Sequence, residues 1–325
     1  NALVDYTDML LRFIKEKITI PFDLLVIDEA QDLSLLQWKV VEQLATKAKR
    51  VVVAGDDDQA IYRWAGADVE YLIDLRGESR VLGQSYRVPP AVQSVANDVI
   101  SEVAHRREKT WKARTGGRGK IDRAGEFGDV DVSGRDVLVL ARNSYVLKDQ
   151  IEPELRRQGI VYEKNGHSSI KQSYLEAIEA WETLRKGKTV TVAEARQAYE
   201  FLSAGVGVAR GFKKLPSYEF DDEPVSMQEL EEKGGLLTRA VWHEAMDRLP
   251  PDELSYMLSA RRRGERFRKA ARVRVATIHG SKGGEADHVV GAERAGVGRQ
   301  SRSRAEPRAG RGDPPGSVHP AQFGV

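Results

Sequence analysis

Apolar residues recur along the chain in short, punctuated blocks. Val4, Met9, Leu10, Phe13 and Ile14 fall at helical spacing, which predicts a helix over Val4 to Lys17, ended by Pro21. Leu24 to Ile27 is then a continuous apolar run, the pattern of a strand buried on both faces in a parallel sheet. Helical spacing returns from Ser34 to Lys49, with Leu36, Val40, Val41 and Leu44 on one side. A second buried strand is expected at Val51 to Ala54. Strand, helix and strand at this spacing predict a βαβ unit. Arg80-Val81-Leu82 reads as a further short strand. Pro89-Pro90 opens a helix carrying Val92, Val95, Ala96, Val99 and Val103.

Arg106 to Arg123 is basic and rich in glycine, and reads as a linker or exposed loop. The α/β alternation then restarts, with a strand over Asp136 to Ala141, a helix over Tyr145 to Gln158 and a strand at Ile160 to Tyr162. From Leu175 to Ala271 the pattern is mainly helical, and a strand returns at Val273 to Ala276. After the strand-like run His288-Val289-Val290 the chain becomes dense in Arg, Gly, Pro and Ser. Such a segment is expected either as a disordered basic tail or as out-of-frame translation of a GC-rich gene. No internal repeat stands out.

Composition narrows the class. The 325 residues are enough for two ordinary domains, and 41% hydrophobic with 31% charged residues is a soluble globular balance. A net charge of +2 gives no global argument for a nucleic-acid partner, so any such argument rests on local clusters. There are no cysteines, which excludes disulfides and thiolate metal sites and fits a reducing cytoplasm. No apolar run approaches the roughly 20 residues of a membrane helix. The chain starts at Asn1 without a methionine and is expected to begin inside a longer protein.

Candidate chemistry lies at the ends of the predicted strands. Leu24 to Asp32 reads LLVIDEAQD, a buried strand ending in Asp28-Glu29. An aspartate there can bind the Mg²⁺ of a nucleotide, and the adjacent glutamate can orient and deprotonate an attacking water. Acidic residues also end many strands without chemistry. Val51 to Asp68 reads VVVAGDDDQAIYRWAGAD; Trp64 would ordinarily be a core residue, but Gly66, Arg63 and Asp68 argue against a buried helix face there. Gln84-Ser85-Tyr86-Arg87 follows, and Val273 to Val290 reads VRVATIHGSKGGEADHVV. His279 has a buried structural histidine as its alternative, and six scattered histidines do not suggest a metal site.

Together these runs resemble motifs II, III, IV and V of the UvrD/Rep branch of superfamily 1 DNA helicases. The segment Val4 to Leu10 is similar to the family's acidic-aromatic stretch before motif II. Ser85 stands where the family usually has asparagine, and Gly284 where it has a large apolar residue. The resemblance implies an α/β fold of tandem RecA-like P-loop NTPase domains with parallel sheets, plus a mainly helical insertion, truncated at the N-terminus. The implied organisation is 1–80 as the later half of the first RecA-like domain and 81–170 as the first part of the second. A helical insertion follows over 171–272, the second domain resumes over 273–290, and 291–325 is atypical.

The resemblance also implies roles for individual residues. Asp28 holds Mg²⁺ and Glu29 is the catalytic base. Gln59 senses the γ-phosphate of ATP, Tyr86 stacks on the adenine and Arg87 reaches the γ-phosphate. Gly283 and Glu285 lie at the nucleotide. Trp64, with Tyr62 behind it, forms the platform for single-stranded DNA, and Thr277 and His279 contact DNA or couple the two ligands. ATP would sit between the RecA-like parts, and the implied activity is ATP-driven movement on single-stranded DNA, 3′ to 5′, at single-strand/duplex junctions. No membrane is implied, and a nuclease or a repair or replication partner stays open.

Two parts of the family's apparatus have no match. A Walker A loop, G-x-x-x-x-G-K-[ST], occurs nowhere in the chain: Gly119-Lys120 fails at Arg114 and at Ile121. Thr238-Arg239-Ala240 resembles the arginine-bearing motif VI but precedes motif V, and reads as a chance match on a helix. The fragment is therefore expected to be inactive alone. The alternatives are a non-catalytic DNA-binding or regulatory remnant, and the helicase part of a helicase–nuclease.

Overall fold

The structure, a computed structural model, describes residues 4–132, 136–267 and 269–292. The chain divides into two compact units, the first over residues 1–123 and the second over 124–298. The expectations for 293–325 lie outside the described residues.

The first unit opens with helix α1 (Tyr6–Lys15). Asp5 caps it, accepting the Asp8 N–H at 2.8 Å, while the Asp8 side chain accepts from the Asp5 N–H. Strand β1 (Leu25–Ile27), helix α2 (Leu35–Ala45) and strand β2 (Val51–Val53) form the expected βαβ unit. Ser34 and Gln37 make a second capping box at the start of α2. The strands are parallel, with Leu25 opposite Val51 and Ile27 opposite Val53. Ile27 and Val53 pack on Trp38 and Val41 of α2 and on Tyr71 and Leu72 of helix α3 (Val69–Asp74). The Trp38 and Tyr71 rings stack at 4.4 Å.

The expectation of strands buried on both faces is corrected here. Val26 is 56% exposed and Val52 40% exposed. Among the described residues a helical layer covers one face of this two-stranded sheet, and the alternating side chains of the pleat point the other way. Arg80-Val81-Leu82 is not a strand either: Val81 and Leu82 are exposed, and the nearby sheet-like contact is a single parallel bridge from Gln84 to Lys112. Helix α4 (Pro90–Ile100) starts on its proline as expected, but its valines are exposed rather than buried.

The second unit is built on a sheet ordered β5-β4-β8-β3-β9. Strand β3 (Val137–Ala141) is followed by helical residues 144–157, made of α5 (Ser144–Val146), a π-helical turn over Leu147–Ile151 and α6 (Glu152–Arg157). Pro153 has no N–H to give to an i−4 carbonyl, and the turn widens just before it. Strands β4 (Tyr162–Lys164) and β5 (His167–Ser168) form an antiparallel hairpin. The helical insertion runs through α7 (Gln172–Arg185), β6 (Val190–Thr191), α8 (Val192–Glu200), β7 (Pro224–Val225), α9 (Met227–Glu232), α10 (Trp242–Ala245) and α11 (Pro251–Arg262). The chain then returns as β8 (Val273–Thr277) and β9 (His288–Ala292), both parallel to β3. Thr238-Arg239-Ala240 is not on a helix; it is extended, with Arg239 paired to Glu231.

The insertion has its own core around Trp181, Tyr199, Leu202, Leu215 and Leu230, all with no more than trace exposure. The sheet core is separate, centred on Val137, Val139, Leu147, Leu155 and Val273. Trp181 is fully buried, and its indole N–H donates to the Ala240 carbonyl at 3.0 Å. Trp181→Ala should therefore destabilise the insertion by about 3–5 kcal/mol. Urea unfolding followed by circular dichroism reads this, and a loss well below that range would show that the helices repack around the gap.

Candidate functional site

The parallel pairing of β1 and β2 brings the two carboxyl ends side by side, so LLVIDEAQD and VVVAGDDDQ turn outward at the same edge. That edge is where open parallel sheets hold their ligands. Asp28 and Glu29 are both exposed there. The Glu29 N–H donates to Asp28 Oδ1 at 2.8 Å. Glu29 lies in the left-handed region at φ 51°, ψ 39°, a conformation that costs a non-glycine residue about 1–3 kcal/mol. The flanking backbone holds it, since the Ala30 N–H donates to Ala54 O at 3.0 Å and the Asp32 N–H to Glu29 O at 3.0 Å.

The residue that joins the two runs is Gln31. It is 1% exposed. Its amide nitrogen donates to Glu29 Oε2 at 2.5 Å, and its amide oxygen accepts the Asp56 N–H at 2.9 Å. The buried amide is thus satisfied at both ends, and it ties the glutamate of one turn to the backbone of the other. Gly55 makes room for it: a Cβ there would stand 2.9 Å from Gln31 Oε1 and 2.9 Å from Leu72 Cδ2. Sequence reasoning passed over Gln31; its position two residues after the acidic pair was the available signal.

Beyond Gly55 the chain makes a 3₁₀ turn over Asp57–Gln59 and another over Arg63–Ala65. Gln59 Nε2 donates to Asp56 Oδ2 at 2.6 Å. Trp64 is 74% exposed, so it is not a core tryptophan, and Gly66 closes its turn at φ 97°. Tyr62 is half-buried. Tyr86 is 85% exposed, and Arg87 is also at the surface, on a turn held by the Ser85 hydroxyl accepting the Val88 N–H at 3.1 Å.

The acidic triplet and the basic segment that follows α4 turn out to be partners, which corrects the reading of the start of 106–123 as a free linker. Arg106 grips Asp58 with two bonds, at 2.9 Å and 2.6 Å. Lys109 Nζ reaches Asp56 at 2.8 Å and Asp58 at 3.1 Å and also pairs with Asp57. The Arg107 N–H donates to Asp57 Oδ2 at 2.8 Å, and its guanidinium binds the carbonyls of Ile73 and Leu75. Burial by itself would raise the Asp58 pKa, but hydrogen bonds and charge from Arg106 and Lys109 together outweigh it and hold the carboxyl below its ordinary value. Burial would likewise lower Lys109, and the three aspartates reverse that and raise it. The clustered charges His105-Arg106-Arg107-Glu108-Lys109 were visible in the sequence, but their partners were not.

The second unit carries Thr277 at the end of β8, His279 in the short 3₁₀ turn after it, Gly283 at φ 78° and exposed Glu285. The Thr277 hydroxyl accepts the Gly280 N–H at 3.1 Å, and Arg274 donates to the Glu285 carbonyl at 2.7 Å. The structure thus gathers Asp28, Glu29, Gln59, Tyr62 and Trp64 on the loops of one sheet edge in the first unit, with Tyr86 and Arg87 in the same unit. Thr277, His279, Gly283 and Glu285 form a separate set in the second unit. Among the described residues no group of three or more His, Cys, Asp and Glu side chains could hold a metal ion by itself. No helix among them is long and apolar enough to cross a membrane.

Comparison with known proteins agrees with the motif resemblance. Residues 1–79 match the family model of the UvrD/REP helicase N-terminal domain. The chain is 34% identical over 118 residues to DNA helicase II of Haemophilus influenzae, a match covering 32% of this chain and 16% of that protein. It is 31% identical over 132 residues to the ATP-dependent DNA helicase PcrA of Staphylococcus epidermidis, covering 36% of this chain and 18% of that one, and it matches PcrA of Staphylococcus aureus to the same extent. The first 79 residues are similar to the UvrD/REP helicase N-terminal domain, and the chain's matches span less than a fifth of the length of these relatives.

The Asp58 carboxyl, held below its ordinary pKa, contributes stability that is complete above the unfolded value of about 3.9 and is lost as the pH falls through the lower folded value. The melting temperature of the first unit should fall as the pH drops below about 4. Asp58→Asn should flatten that dependence; a slope unchanged in the variant would show that other carboxylates carry it.

Proposed function

We propose that the chain is part of an ATP-dependent DNA helicase of the UvrD/REP type, coupling ATP hydrolysis to 3′ to 5′ movement on single-stranded DNA at single-strand/duplex junctions. The observation that carries this reading is the Gln31 bridge, which ties the Asp28-Glu29 turn to the loop bearing Gln59 and Trp64. Relatives named DNA helicase II and ATP-dependent DNA helicase PcrA support it. The organisation that goes with it is the one expected from the motifs, with 1–80 and 81–170 belonging to two RecA-like domains, 171–272 inserted and 273–290 returning to the second.

Asp28 offers an exposed, hard carboxylate at the sheet edge, which suits Mg²⁺, an ion that takes one or two carboxylates together with substrate phosphates. When bound, Mg²⁺ neutralises charge on the transferring phosphate. Glu29, its carboxylate oriented by Gln31, takes the proton of the attacking water. Gln59 lies on the same edge to detect the terminal phosphate, and Arg87 supplies a planar cation for phosphate oxygens. Tyr86 stacks on the adenine, and the motif resemblance assigns Gly283 and Glu285 to nucleotide binding. Trp64 stacks on a base, Tyr62 supports it, and Thr277 and His279 meet the DNA backbone.

A second reading, DNA binding without hydrolysis, is favoured for the 325-residue chain by the lack of a G-x-x-x-x-G-K-[ST] sequence in it. The purified chain should show no DNA-stimulated phosphate release from ATP; clear turnover would overturn this. Trp64→Ala should weaken binding to a labelled single strand by about 1–3 kcal/mol, the worth of one base–aromatic stack. Unchanged affinity in a fluorescence titration would remove Trp64 from the DNA path.

A further inference from the structure

The acidic run poses an electrostatic problem that the reading above leaves open. Three consecutive carboxylates precede the proposed DNA platform by six residues or so, and a polyanion approaching Trp64 would meet them. Uncovered, they would repel phosphates over roughly a Debye length, about 10 Å at moderate salt. The structure covers them with the segment 105–109. Lys109 is only 16% exposed among the three aspartates, and Asp57 and Asp58 are closed in with it. Arg106 takes both oxygens of Asp58, and the Arg107 N–H caps Asp57.

The same segment reaches the platform by a second route. His105 Nδ1 lies 2.5 Å from Glu70 Oε2, and Glu70 also pairs with Arg63, the residue before Trp64. Farther on, the strap fastens to the turn carrying Tyr86 and Arg87. The Lys112 N–H donates to Gly83 O at 2.7 Å, and the Ser85 N–H donates to Lys112 O at 2.8 Å. One stretch of eight residues, 105–112, thus holds both the acidic run and the Tyr86-Arg87 turn.

We propose that 105–109 is an electrostatic strap, with Lys109 and Arg106 as positioning residues that offset most of the charge of Asp56, Asp57 and Asp58 so that single-stranded DNA can settle on Trp64. The cations are spent on carboxylates and make no phosphate contact themselves. This rests on the reading of Trp64 as the single-strand platform, and the two can fail separately.

The test uses the 325-residue chain and a fluorescently labelled oligo(dT), titrated across a range of salt, with a thermal melt run on every variant. Lys109→Gln removes one of the two cations on the acidic run and should weaken binding about three- to tenfold at low salt. Added salt should shrink that deficit, because screening quiets repulsion. Asp57→Asn combined with Lys109→Gln restores the wild-type charge balance and should restore affinity. A direct phosphate contact gives the same trend with salt, but there the double variant stays weak. That result overturns the proposal, as does wild-type affinity in a folded Lys109→Gln. If Lys109→Gln does not fold, the charge-balanced double variant decides, supporting the strap by binding as wild type and refuting it by binding weakly. Trp64→Ala serves as the control. If it weakens binding while Lys109→Gln does not, the strap alone fails; if it binds as wild type, the platform fails.

Discussion

Everything at the candidate site depends on one buried amide. Gln31 spends its donor on Glu29 and its acceptor on the Asp56 N–H, and so converts two neighbouring strand ends into one rigid unit. The parallel register of β1 and β2 makes the bridge possible, because only parallel strands bring both carboxyl ends to the same edge. Gly55 is the counterpart in the backbone: any side chain there would press on the amide. The strained backbone of Glu29 is held by the adjoining backbone bonds, Ala30 N–H to Ala54 O and Asp32 N–H to Glu29 O. A left-handed glutamate beside a satisfied buried amide is an arrangement that aims a carboxylate rather than one that stabilises a core.

Much of the fold was legible because the chain's local patterns agree with its elements. The βαβ unit, the proline-started α4, the strand β3 and the return of β8 all follow from apolar spacing and capping residues. What the pattern hid was the degree of cover. A continuous apolar run looks the same whether one face or both faces are packed, so the open sides of Val26 and Val52 could not be read from it. Arg80-Val81-Leu82 failed for a related reason, since an apolar pair makes a strand only if a neighbouring strand offers a ladder. Here the single bridge of Gln84 to Lys112 is all that forms nearby.

The candidate site divides along the same line. Residues whose meaning lies in a contiguous motif, such as Asp28, Glu29, Gln59 and Trp64, stood out in the sequence. Residues whose meaning lies in a partner 48 to 52 positions away did not. Arg106 and Lys109 looked like a solvated basic run because nothing in a linear string shows that three aspartates wait for them. The helical insertion was legible as helical, but its separate core and the extended Thr238-Arg239-Ala240 were settled by packing that the spacing does not encode.

The sheet of the second unit has a consequence for how that unit assembles. Its central strands are drawn from opposite ends of the unit, with Arg274 and Asp136 in contact across 138 positions. Joining them in an unstructured chain would require closing that whole loop before any ladder bond repays the entropy. The insertion inside the loop has its own core, and once collapsed it brings the two ends close together. The length of free chain that the sheet must close is thus set by a region that carries none of the residues proposed to touch ATP.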